Sequence, residues 1–514
     1  MKKIFQLIKA KLDNIAMYRT VTLSLSILAS YSIILGFFGV LAYSGLEQVL
    51  SLITALAVAL VVNIILGKLF KVHVNNESAI ITALIIFFLV LPTQLSEIGD
   101  LWLIAAVTFL AILSKFVVAR KGQHIFNPAA FGVFALALLF LIFPSFGYFE
   151  SAWWVGTPAL FIPLLLVGSA VVLKVRKWVP VLTFLAVAFV TFLFEEWRFG
   201  FDVTETWLNF WLMGPSLFLA LYMLTEPFTM PSTKKMQITY AALVGFLSQT
   251  ALFVSFIMIT PELALIIGNL VFYGTRLRQK LVLKLVEKRE VAKNTWEFVF
   301  EKPAGMDFKA GQYLEWMLPH ENMDSRGIRR YFTIASAPDI DFLKMAVRFG
   351  DKVSSYKTKL KDMNIGDTII ASQLAGDFLL PDKSGEKLAF VAGGIGITPF
   401  LSHLEAMNSN GNKHETTLFY CNNFATEIAY KDKLDSLTEV LPFKVVNVLA
   451  KENIAGCEAG YVTEEIIKKH LPDYLERTWY ISGPSGMVDA YTGLLKKLGV
   501  PSKQIVRDFF PGLA

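Results

Sequence analysis

The chain has 514 residues, of which 54% are hydrophobic, and its formal net charge is +6. This apolar content is too high for a soluble protein of that length, and the excess lies before residue 275. We therefore predict a membrane protein with lipid as a partner. Because the basic excess belongs to loops at a membrane face, it gives no reason to expect nucleic acid as a partner.

Apolar runs before residue 275 approach the roughly 20 residues that cross a bilayer. Ten spans are predicted, at about 21–43, 49–69, 78–95, 101–118, 128–143, 158–174, 178–194, 207–224, 237–259 and 262–274. The charged stretch 1–19 precedes a long apolar run without a small-residue cleavage site. That pattern predicts a retained first span and not a removed signal peptide.

Basic residues occupy every second connection between these runs. With Met1 in the cytoplasm, Arg198 is the single basic residue of the predicted outer loops. The positive-inside rule then favours an even number of spans. It predicts a multi-pass protein of a bacterial-type cytoplasmic membrane, with the C-terminal domains in the cytoplasm.

The sequence offers few cysteine or histidine residues that could bind a metal. Cys421 and Cys457 are the only cysteines, and no Cys-x-x-Cys motif occurs, so thiolates cannot hold a zinc ion or an iron–sulfur cluster. A transmembrane haem pair would need histidines at two depths. The apolar half offers His73 and His124, both near inner ends of spans. We predict no metal site and expect both histidines in solvent-facing loops.

The soluble half contains a strand-like run at residues 329–336, Arg-Arg-Tyr-Phe-Thr-Ile-Ala-Ser. Arg330 can neutralise a pyrophosphate, Tyr331 or Phe332 can cover an isoalloxazine ring, and Thr333 can hydrogen-bond its N5 edge. An alternating surface strand is the alternative for the run taken alone.

Two turns follow at the ends of predicted buried strands. The run 388–392 is continuously apolar, as in a parallel strand covered on both faces, and leads into Gly393-Gly394-Ile395-Gly396-Ile397-Thr398-Pro399. The strand 479–481 leads into Ser482-Gly483-Pro484. Open α/β sheets bind nucleotides at such carboxyl ends.

Alternating runs at residues 280–286, 296–300 and 311–316 predict a small antiparallel barrel, which ends near Gly376. Ser354 and Ser355 begin a helical stretch, and a helix N-terminus is a ready phosphate site. A plain N-cap is the alternative for these serines.

In this order the motifs resemble the ferredoxin-NADP reductase family, over about residues 279–514. The resemblance implies an FAD that accepts a hydride from a nicotinamide and passes electrons onward. It implies catalytic roles for Thr333, Ser482, which stands where the family often has cysteine, and Phe510, which covers the flavin face. The implied cofactor-binding residues are Arg330, Tyr331, Phe332, Thr333, Ser354, Ser355, Gly376, Gly393, Gly394, Gly396, Thr398, Pro399, Gly483 and Pro484. The strand end Asn422-Asn423 has no arginine to hold a 2′-phosphate, which favours NADH over NADPH.

The apolar half has its own motifs, Asn127-Pro128 and Thr225-Glu226-Pro227 in inner loops and Gly156-Thr157-Pro158 in an outer loop. Asn-Pro suits a helix start, with Asn as the cap and Pro in the first turn. In this order the motifs resemble the flavin-carrying membrane subunits of the sodium-translocating NADH:quinone reductase and of the related Rnf complex, over about residues 15–280.

That resemblance implies a ten-helix bundle that carries FMN or riboflavin. One FMN is joined through phosphate to a threonine in the family, and Thr157 is the matching residue. This chain has Val-Gly-Thr where the family has Gly-Ala-Thr, so covalent and non-covalent binding both stay open. Asn127 and Thr225 bracket a second, non-covalent flavin.

The fold class is therefore a multi-domain chain. A polytopic helical membrane bundle (1–278) precedes an antiparallel β-barrel FAD domain (279–385) and a Rossmann-like α/β NAD(P)H domain (386–514). The predicted enzyme passes electrons from NAD(P)H through FAD to a membrane flavin, then to a quinone or an extracytoplasmic acceptor protein. The alternatives are a redox-driven Na⁺ or H⁺ transporter and a flavin-free membrane anchor for a reductase.

Overall fold

The computed structural model describes residues 15–72, 74–120, 123–146, 149–254, 257–275, 280–321, 324, 327–350, 353–381, 383–411 and 413–510. The chain divides into two compact units, Met1–Gln279 and Lys280–Ala514. We refer to them as the membrane unit and the reductase unit.

The membrane unit is helical. Its α-helices are α1 (Met17–Phe37), α2 (Gly45–Leu69), α3 (Asn76–Leu89), α4 (Leu101–Val117), α5 (Pro128–Ile142), α6 (Pro158–Val175), α7 (Trp178–Arg198), α8 (Val203–Leu212), α9 (Ser216–Phe218), α10 (Lys234–Leu247) and α11 (Pro261–Val271). A π-helix, Leu219–Met223, continues α9, and 3₁₀ turns lie at Leu95–Asp100, Pro144–Phe146 and Tyr273–Thr275. Two short antiparallel pairs complete it, β1 (Ala119–Arg120) with β2 (Gln123–His124) and β3 (Phe253–Val254) with β4 (Ile257–Met258).

Within the described residues, five helices are long and apolar enough to cross a membrane. They are Met17–Phe37, Gly45–Leu69, Leu95–Val117, Pro158–Val175 and Trp178–Arg198. Three further apolar helices are shorter, Asn76–Leu89, Pro128–Ile142 and Pro261–Val271. The structure thus supports a multi-pass membrane protein with five candidate spanning helices among the described residues, while the count of ten stays a prediction.

Two predicted spans differ from the structure. The helix predicted over 207–224 is interrupted after Leu212, because Pro215 lacks a backbone N–H and cannot continue the ladder. The helix predicted over 237–259 is wrong beyond Leu247. The hydroxyls of Ser248 and Thr250 bond the carbonyls of Gly245 and Leu247, which closes the helix end.

Small residues let the membrane helices approach closely. Ala55, Ala59, Ala79, Ala83 and Ala111 are fully buried between helices. A β-carbon added at Gly132 on α5 would lie 2.6 Å from the Val107 carbonyl oxygen of α4. In lipid the hydrophobic effect does not drive helices together, so close packing of small residues stabilises their association instead.

The reductase unit begins with an antiparallel sheet of six strands, ordered β8-β7-β10-β5-β6-β9. They are β5 (Leu281–Ala292), β6 (Thr295–Glu301), β7 (Tyr313–Met317), β8 (Arg329–Thr333), β9 (Phe342–Arg348) and β10 (Thr368–Ala375), with helix α12 (Ser355–Lys361) before β10. β5 starts with alternating buried and exposed residues, as its sequence predicts. The strands predicted at 280–286, 296–300 and 311–316 are present.

A parallel sheet of six strands follows, ordered β14-β13-β12-β11-β15-β16. Its strands are β11 (Lys387–Gly393), β12 (Glu415–Asn422), β13 (Phe443–Leu449), β14 (Glu458–Ala459), β15 (Thr478–Pro484) and β16 (Ile505–Phe510). Its helices are α13 (Thr398–Asn410), α14 (Lys431–Val440), α15 (Glu464–His470) and α16 (Ser485–Lys497), and 3₁₀ turns lie at Gly394–Ile397, Ala425–Glu427 and Ser502–Gln504.

Strand β11 is buried on both faces, since Leu388 to Ala392 are at most 1% exposed. The chain moves from β11 outward through β12 and β13, then returns to β15 on the other side of β11. The strand order therefore reverses between β11 and β15. Open parallel sheets bind nucleotides at such a reversal, beyond the carboxyl ends of the strands.

Candidate functional sites in the two units

The guanidinium of Arg330 is fixed by several contacts on β8. Its Nη1 donates to the carbonyls of Gly327 at 2.9 Å and Arg329 at 2.7 Å. Its Nη2 lies 3.5 Å from an Asp324 carboxylate oxygen, and its central carbon is 5.0 Å from the Tyr356 ring centroid. Burial raises the pKa of Tyr356, so the ring below the guanidinium stays a neutral phenol.

The N-terminus of α12 faces the same carboxylate. Ser354 caps the helix by accepting from the Lys357 N–H at 3.3 Å, so the plain-cap role is real. The backbone N–H of Ser355 donates to Asp324 at 3.2 Å. Arg330 and a helix N-terminus therefore converge on one anionic group, and a phosphate has the same need for donors.

Neighbouring residues of β8 have different surroundings. Phe332 lies 6.1 Å, ring to ring, from Tyr356, which places it on the face of Arg330. Tyr331 is 42% exposed, and its hydroxyl donates to Glu315 at 3.1 Å on the other face. The structure thus brings Phe332, and not Tyr331, to the Arg330 face.

Thr333 ends β8 and is 3% exposed. Its hydroxyl oxygen is buried and has no hydrogen-bond partner within the described part of the chain. A buried hydroxyl without a partner carries a free-energy cost of about 1–3 kcal/mol. A ligand with a polar ring edge would remove that cost.

Gly376 follows β10 with φ +128°, a conformation that side chains disfavour. A β-carbon there would lie 3.2 Å from the Gln312 Cα. The backbone of Gly376 therefore passes close to the start of β7, where a larger residue would not fit.

The glycine turn after β11 packs against the end of β15. Ala392 is the register partner of Ser482. A β-carbon at Gly396 would lie 2.4 Å from the Ser482 carbonyl oxygen, and one at Gly393 would lie 2.4 Å from the Met487 sulfur. The two predicted turns therefore meet at the strand reversal, and only glycine permits the approach.

Helix α13 starts directly after the 3₁₀ turn of Gly394. Thr398 and Pro399 form its first turn, and the Thr398 hydroxyl donates to the Ile395 carbonyl at 3.2 Å. The predicted Thr-Pro end of the motif thus stabilises the turn through an internal hydrogen bond. The backbone of the turn faces the sheet edge.

Ser482 is fully buried, and its hydroxyl also lacks a partner among the described residues. Gly483 follows with φ +154°, and Pro484 is the register partner of Phe510. The side chain of Phe510 lies outside the described residues, so its predicted role over the flavin stays a prediction. Cys421, at the end of β12, is a poor thiolate, because burial raises its pKa to about 12.

The membrane unit contains a cavity of about 70 Å³. It is lined by Met17, Tyr18, Val21, Ser78, Ile81, Thr82, Ile85, Asn127, Pro128, Ala129, Val171, Val175, Tyr222, Thr225, Glu226 and Pro227. We call it the polar-end cavity. It brings together Asn127 and Thr225, which the sequence analysis placed around one flavin.

Glu226 is the centre of the polar contacts at this cavity. The Asn127 side-chain amide donates to one carboxylate oxygen at 2.9 Å, and Thr229 donates to the same oxygen at 3.1 Å. His124 Nε2 lies 2.9 Å from the other oxygen. Asn127 also caps α5 by accepting from the Ala130 N–H at 3.1 Å.

The expectation of a solvent-facing histidine is wrong for His124. Its side chain is 12% exposed and pairs with Glu226. Sequence analysis missed this pair, because 102 positions separate the two residues. It also missed Lys115, whose ammonium group donates to the Ser78 carbonyl at 2.9 Å and hydroxyl at 3.1 Å. His73 lies outside the described residues.

Thr157 stands at the start of α6, while Val171 and Val175 near the end of that helix line the polar-end cavity. A helix of 18 residues separates these ends by about 27 Å. The Thr157 hydroxyl is buried, makes no cap bond and has no partner in the part of the chain that the structure describes. The Trp153 indole four residues earlier donates to Glu262 at 2.6 Å.

Comparison with known proteins assigns each half to a class. Residues 156–272 match the NQR2, RnfD, RnfE family, and residues 390–492 match the oxidoreductase NAD-binding domain. The N-terminal half therefore contains a region similar to the first family. The C-terminal half contains a region similar to the NAD-binding domain of oxidoreductases.

Individual relatives fit this division. The chain is 29% identical over 235 residues to a flavohemoprotein of Pseudomonas putida, covering 44% of this chain and 58% of the relative. It is 29% identical over 227 residues to the plasma membrane-associated coenzyme Q6 reductase PGA3 of Saccharomyces cerevisiae, covering 42% and 71%. A ferredoxin NADP⁺ reductase of Neisseria gonorrhoeae with bound FAD and NADP matches at 22% identity and a TM-score of 0.39, covering 45% of this chain and 98% of that one.

The reductase unit fits the nucleotides that its sequence motifs predict. Arg330 and the α12 N-terminus form an anion site, Thr333 offers a buried hydroxyl, and the Gly396 turn admits a close backbone approach. The donor set and the glycine cradle are therefore suited to FAD and to NAD(P)H.

Proposed function

We propose that the chain passes electrons from cytoplasmic NAD(P)H through FAD to a flavin in the membrane unit. From there they go to a quinone or to an acceptor protein on the outer side of a bacterial-type cytoplasmic membrane. The observation that carries the proposal is that the buried hydroxyls of Thr333 and Ser482 have no hydrogen-bond partner among the described residues. These residues belong to the two motifs that predict the flavin and the nicotinamide.

FAD, when bound, takes two electrons as a hydride and can release them one at a time. The protein residues hold and orient it. Arg330 and the α12 N-terminus would neutralise the pyrophosphate, and the six-stranded sheet would support them. Thr333 would donate to the ring edge and Ser482 would position the nicotinamide. Phe510 would cover the flavin face before the nicotinamide binds.

NADH is the favoured donor. Strand β12 ends at Asn422, and Asn423 follows without an arginine. The Asn423 N–H donates to Glu427 at 3.3 Å, and Glu427 is also bound by Arg348 at 2.5 Å. A carboxylate just beyond the second strand suits a ribose 2′-hydroxyl.

The membrane flavin is FMN or riboflavin. The family match over residues 156–272, which includes Thr225 and Glu226, and the hydrogen bond from Asn127 to Glu226 support one flavin at the polar-end cavity. The buried hydroxyl of Thr157, which has no hydrogen-bond partner among the described residues, supports another at the far end of α6, held covalently or not. A quinone is the favoured acceptor, since one relative is named a coenzyme Q6 reductase.

The proposal is tested with two preparations. A fragment of residues 280–514, one of the two compact units, should bind FAD and oxidise NADH with ferricyanide. The detergent-purified full chain should also reduce a short-chain benzoquinone. A full chain that reduces ferricyanide but holds no flavin beyond FAD would overturn the membrane step.

Covalent attachment has its own test. If Thr157 carries FMN, flavin fluorescence will survive denaturing electrophoresis and disappear in Thr157→Ala. Thr183→Ala is the matched control, because Thr183 lies in α7 and its hydroxyl only bonds the Val179 carbonyl. Fluorescence that disappears on denaturing the wild type leaves non-covalent binding as the outcome.

A further inference from the structure

The polar-end cavity is poor in groups that can exchange protons. Of its sixteen lining residues, Tyr18, Tyr222 and Glu226 are titratable, and Glu226 is the one carboxylate. The Tyr222 hydroxyl shares a hydrogen bond of 2.5 Å with Ser24. Glu226 is thus the one carboxylate among the lining residues that can accept and pass on a proton.

Glu226 also connects the cavity with a histidine. His124 Nε2 is 2.9 Å from the Glu226 oxygen that Asn127 and Thr229 leave free. The His124 side chain is 12% exposed and that of Glu226 is 20% exposed. Histidine is the side chain that ordinarily gains and loses a proton near physiological pH. Both side chains are thus partly exposed and Glu226 lines the cavity, so the pair connects the protein surface with the cavity wall.

Other charged groups face this pair from neighbouring helices. Lys115 of α4 donates to Ser78 of the cavity wall, and its charge interacts with Glu226. Arg19 of α1 pairs with Glu77 of α3 at 3.5 Å, with side chains 57% and 35% exposed. Lys115 thus places a positive charge near Glu226, while the Arg19–Glu77 pair is balanced internally.

Electrons that enter such a cavity need protons. Reduction of a flavin or quinone ring by two electrons leaves negative charge on it, and an uncompensated charge within a membrane protein is expensive. A proton transferred to the ring in the same step removes that cost. A relay must therefore lie next to a ring acceptor placed here.

We propose that His124 and Glu226 deliver protons to a two-electron ring acceptor, a flavin or a quinone, in the polar-end cavity. The proposal rests on the proposed function, which supplies the electrons from NAD(P)H. His124 takes a proton from solvent, and its Nε2–H bond breaks as Glu226 gains an O–H bond. The Glu226 O–H bond then breaks as a bond to hydrogen forms on the acceptor. For a quinone, two electrons and two protons give the hydroquinone, and NADH with one proton from solvent supplies both.

The test compares two electron acceptors on the full-length protein in detergent. Ferricyanide takes electrons without protons, whereas a short-chain benzoquinone takes both. Glu226→Gln should lower NADH-dependent benzoquinone reduction by roughly 100-fold, a typical contribution of a positioned acid, while ferricyanide reduction stays unchanged. His124→Gln should lower it by roughly tenfold and abolish its pH dependence.

Two variants separate proton transfer from a structural role. Glu226→Asp keeps a carboxylate and should restore most of the rate that Glu226→Gln loses. His470→Gln is the matched control, because His470 pairs with Glu458 at 2.7 Å with similar exposures of 17% and 21%, but in the reductase unit. It should leave both activities and the pH profile unchanged.

The outcomes distinguish this proposal from the proposed function. If the wild type reduces benzoquinone and both Glu226→Gln and His124→Gln match its rate and pH profile, the relay is refuted while the electron path stands. If Glu226→Asp fails like Glu226→Gln and both have lost the membrane flavin, Glu226 is structural and the relay is also refuted. If the wild type itself reduces ferricyanide only, the proposed function fails.

Discussion

The two units place their functional residues by different rules. In the reductase unit the key groups stand at strand ends and helix starts, such as Thr333 at the end of β8 and Ser354 before α12. In the membrane unit they meet through contacts between distant parts of the chain, such as Asn127 with Glu226, 99 positions apart. Local motifs therefore locate the first site, whereas tertiary packing creates the second.

The difference also affects what each site requires. The glycine turn of the reductase unit is shaped by steric limits, because a β-carbon at Gly396 would lie 2.4 Å from a backbone oxygen. The polar-end cavity is shaped by hydrogen bonds to one carboxylate. Substitutions should therefore act in the first site through size and in the second through lost polar contacts.

The largest expected effect is that of Gly396→Val. The added side chain would overlap the backbone of Ser482 and Gly483, at a cost of about 3 kcal/mol, so NADH oxidation should fall roughly 100-fold. Gly493→Ala is the control, since a β-carbon there meets nothing within 4 Å. Stopped-flow flavin reduction measures the effect. A rate near that of the wild type would show that the turn does not form part of the nicotinamide site.

Arg330→Ala should weaken FAD binding roughly 10- to 100-fold. A hydrogen bond to a charged group contributes about 1.5–3 kcal/mol, and no other described side chain replaces the guanidinium above Tyr356. FAD retention after gel filtration measures this, with the membrane flavin unchanged. Lys468→Ala, which removes an exposed cation paired with Glu464, is the control. Loss of both flavins together would contradict separate sites.

Asn127→Ala should have the reciprocal effect in the membrane unit. It removes the donor to Glu226 and the cap of α5, about 2 kcal/mol, so the membrane flavin should be held roughly 30-fold more weakly. Asn75→Ala is the matched control, because Asn75 caps α3 without lining the cavity. Equal loss of the membrane flavin in Asn127→Ala and Asn75→Ala would indicate a general effect on helix stability.

Thr333→Val should have a smaller effect. It keeps the shape and removes one hydroxyl, a contribution of about 0.5–1.5 kcal/mol, so hydride transfer to FAD should slow by roughly tenfold or less. Thr333→Ser should restore the rate. Anaerobic flavin reduction by NADH is the measurement, and an unchanged rate in Thr333→Val would show that the hydroxyl does not reach the flavin.

The smallest effect on activity is expected from a structural ion pair. The Arg477 guanidinium, bound at 2.8 Å, lowers the pKa of Asp473 to about 2. Because the ordinary value is higher, this stabilisation is complete above about pH 4 and disappears as the pH falls towards 2. Asp473→Asn should lose about 1 kcal/mol at pH 7, because solvent screens this partly exposed pair, as measured by urea unfolding of the 280–514 fragment, with unchanged NADH oxidation. Equal stability of both proteins at pH 7 would contradict the assignment.

Much of the reductase unit could be predicted, because its physical constraints are local. The apolar run 388–392 predicts a strand buried on both faces, and the glycines after it predict the turn. The sequence could not choose between Tyr331 and Phe332, because strand register decides which ring shares the Arg330 face. That choice depends on β7 and α12 and not on the motif itself.

The membrane unit was less predictable for the same reason. Hydropathy locates apolar segments but does not distinguish a helix from other buried structure, so the predicted span 237–259 is helical only to Leu247. His124 was expected in solvent, since nothing near it in sequence suggests a partner. Its partner Glu226 becomes visible only when β2 and the loop after the π-helix pack together.

The most direct test of the electron path is a flavin inventory of the detergent-purified full chain, followed by anaerobic titration with NADH. The account predicts FAD and a second flavin, FMN or riboflavin, and predicts that NADH reduces both. In Asn127→Ala the second flavin should be depleted while FAD is still reduced. A wild-type chain that contains FAD alone, or whose second flavin stays oxidised after FAD is fully reduced, would contradict it.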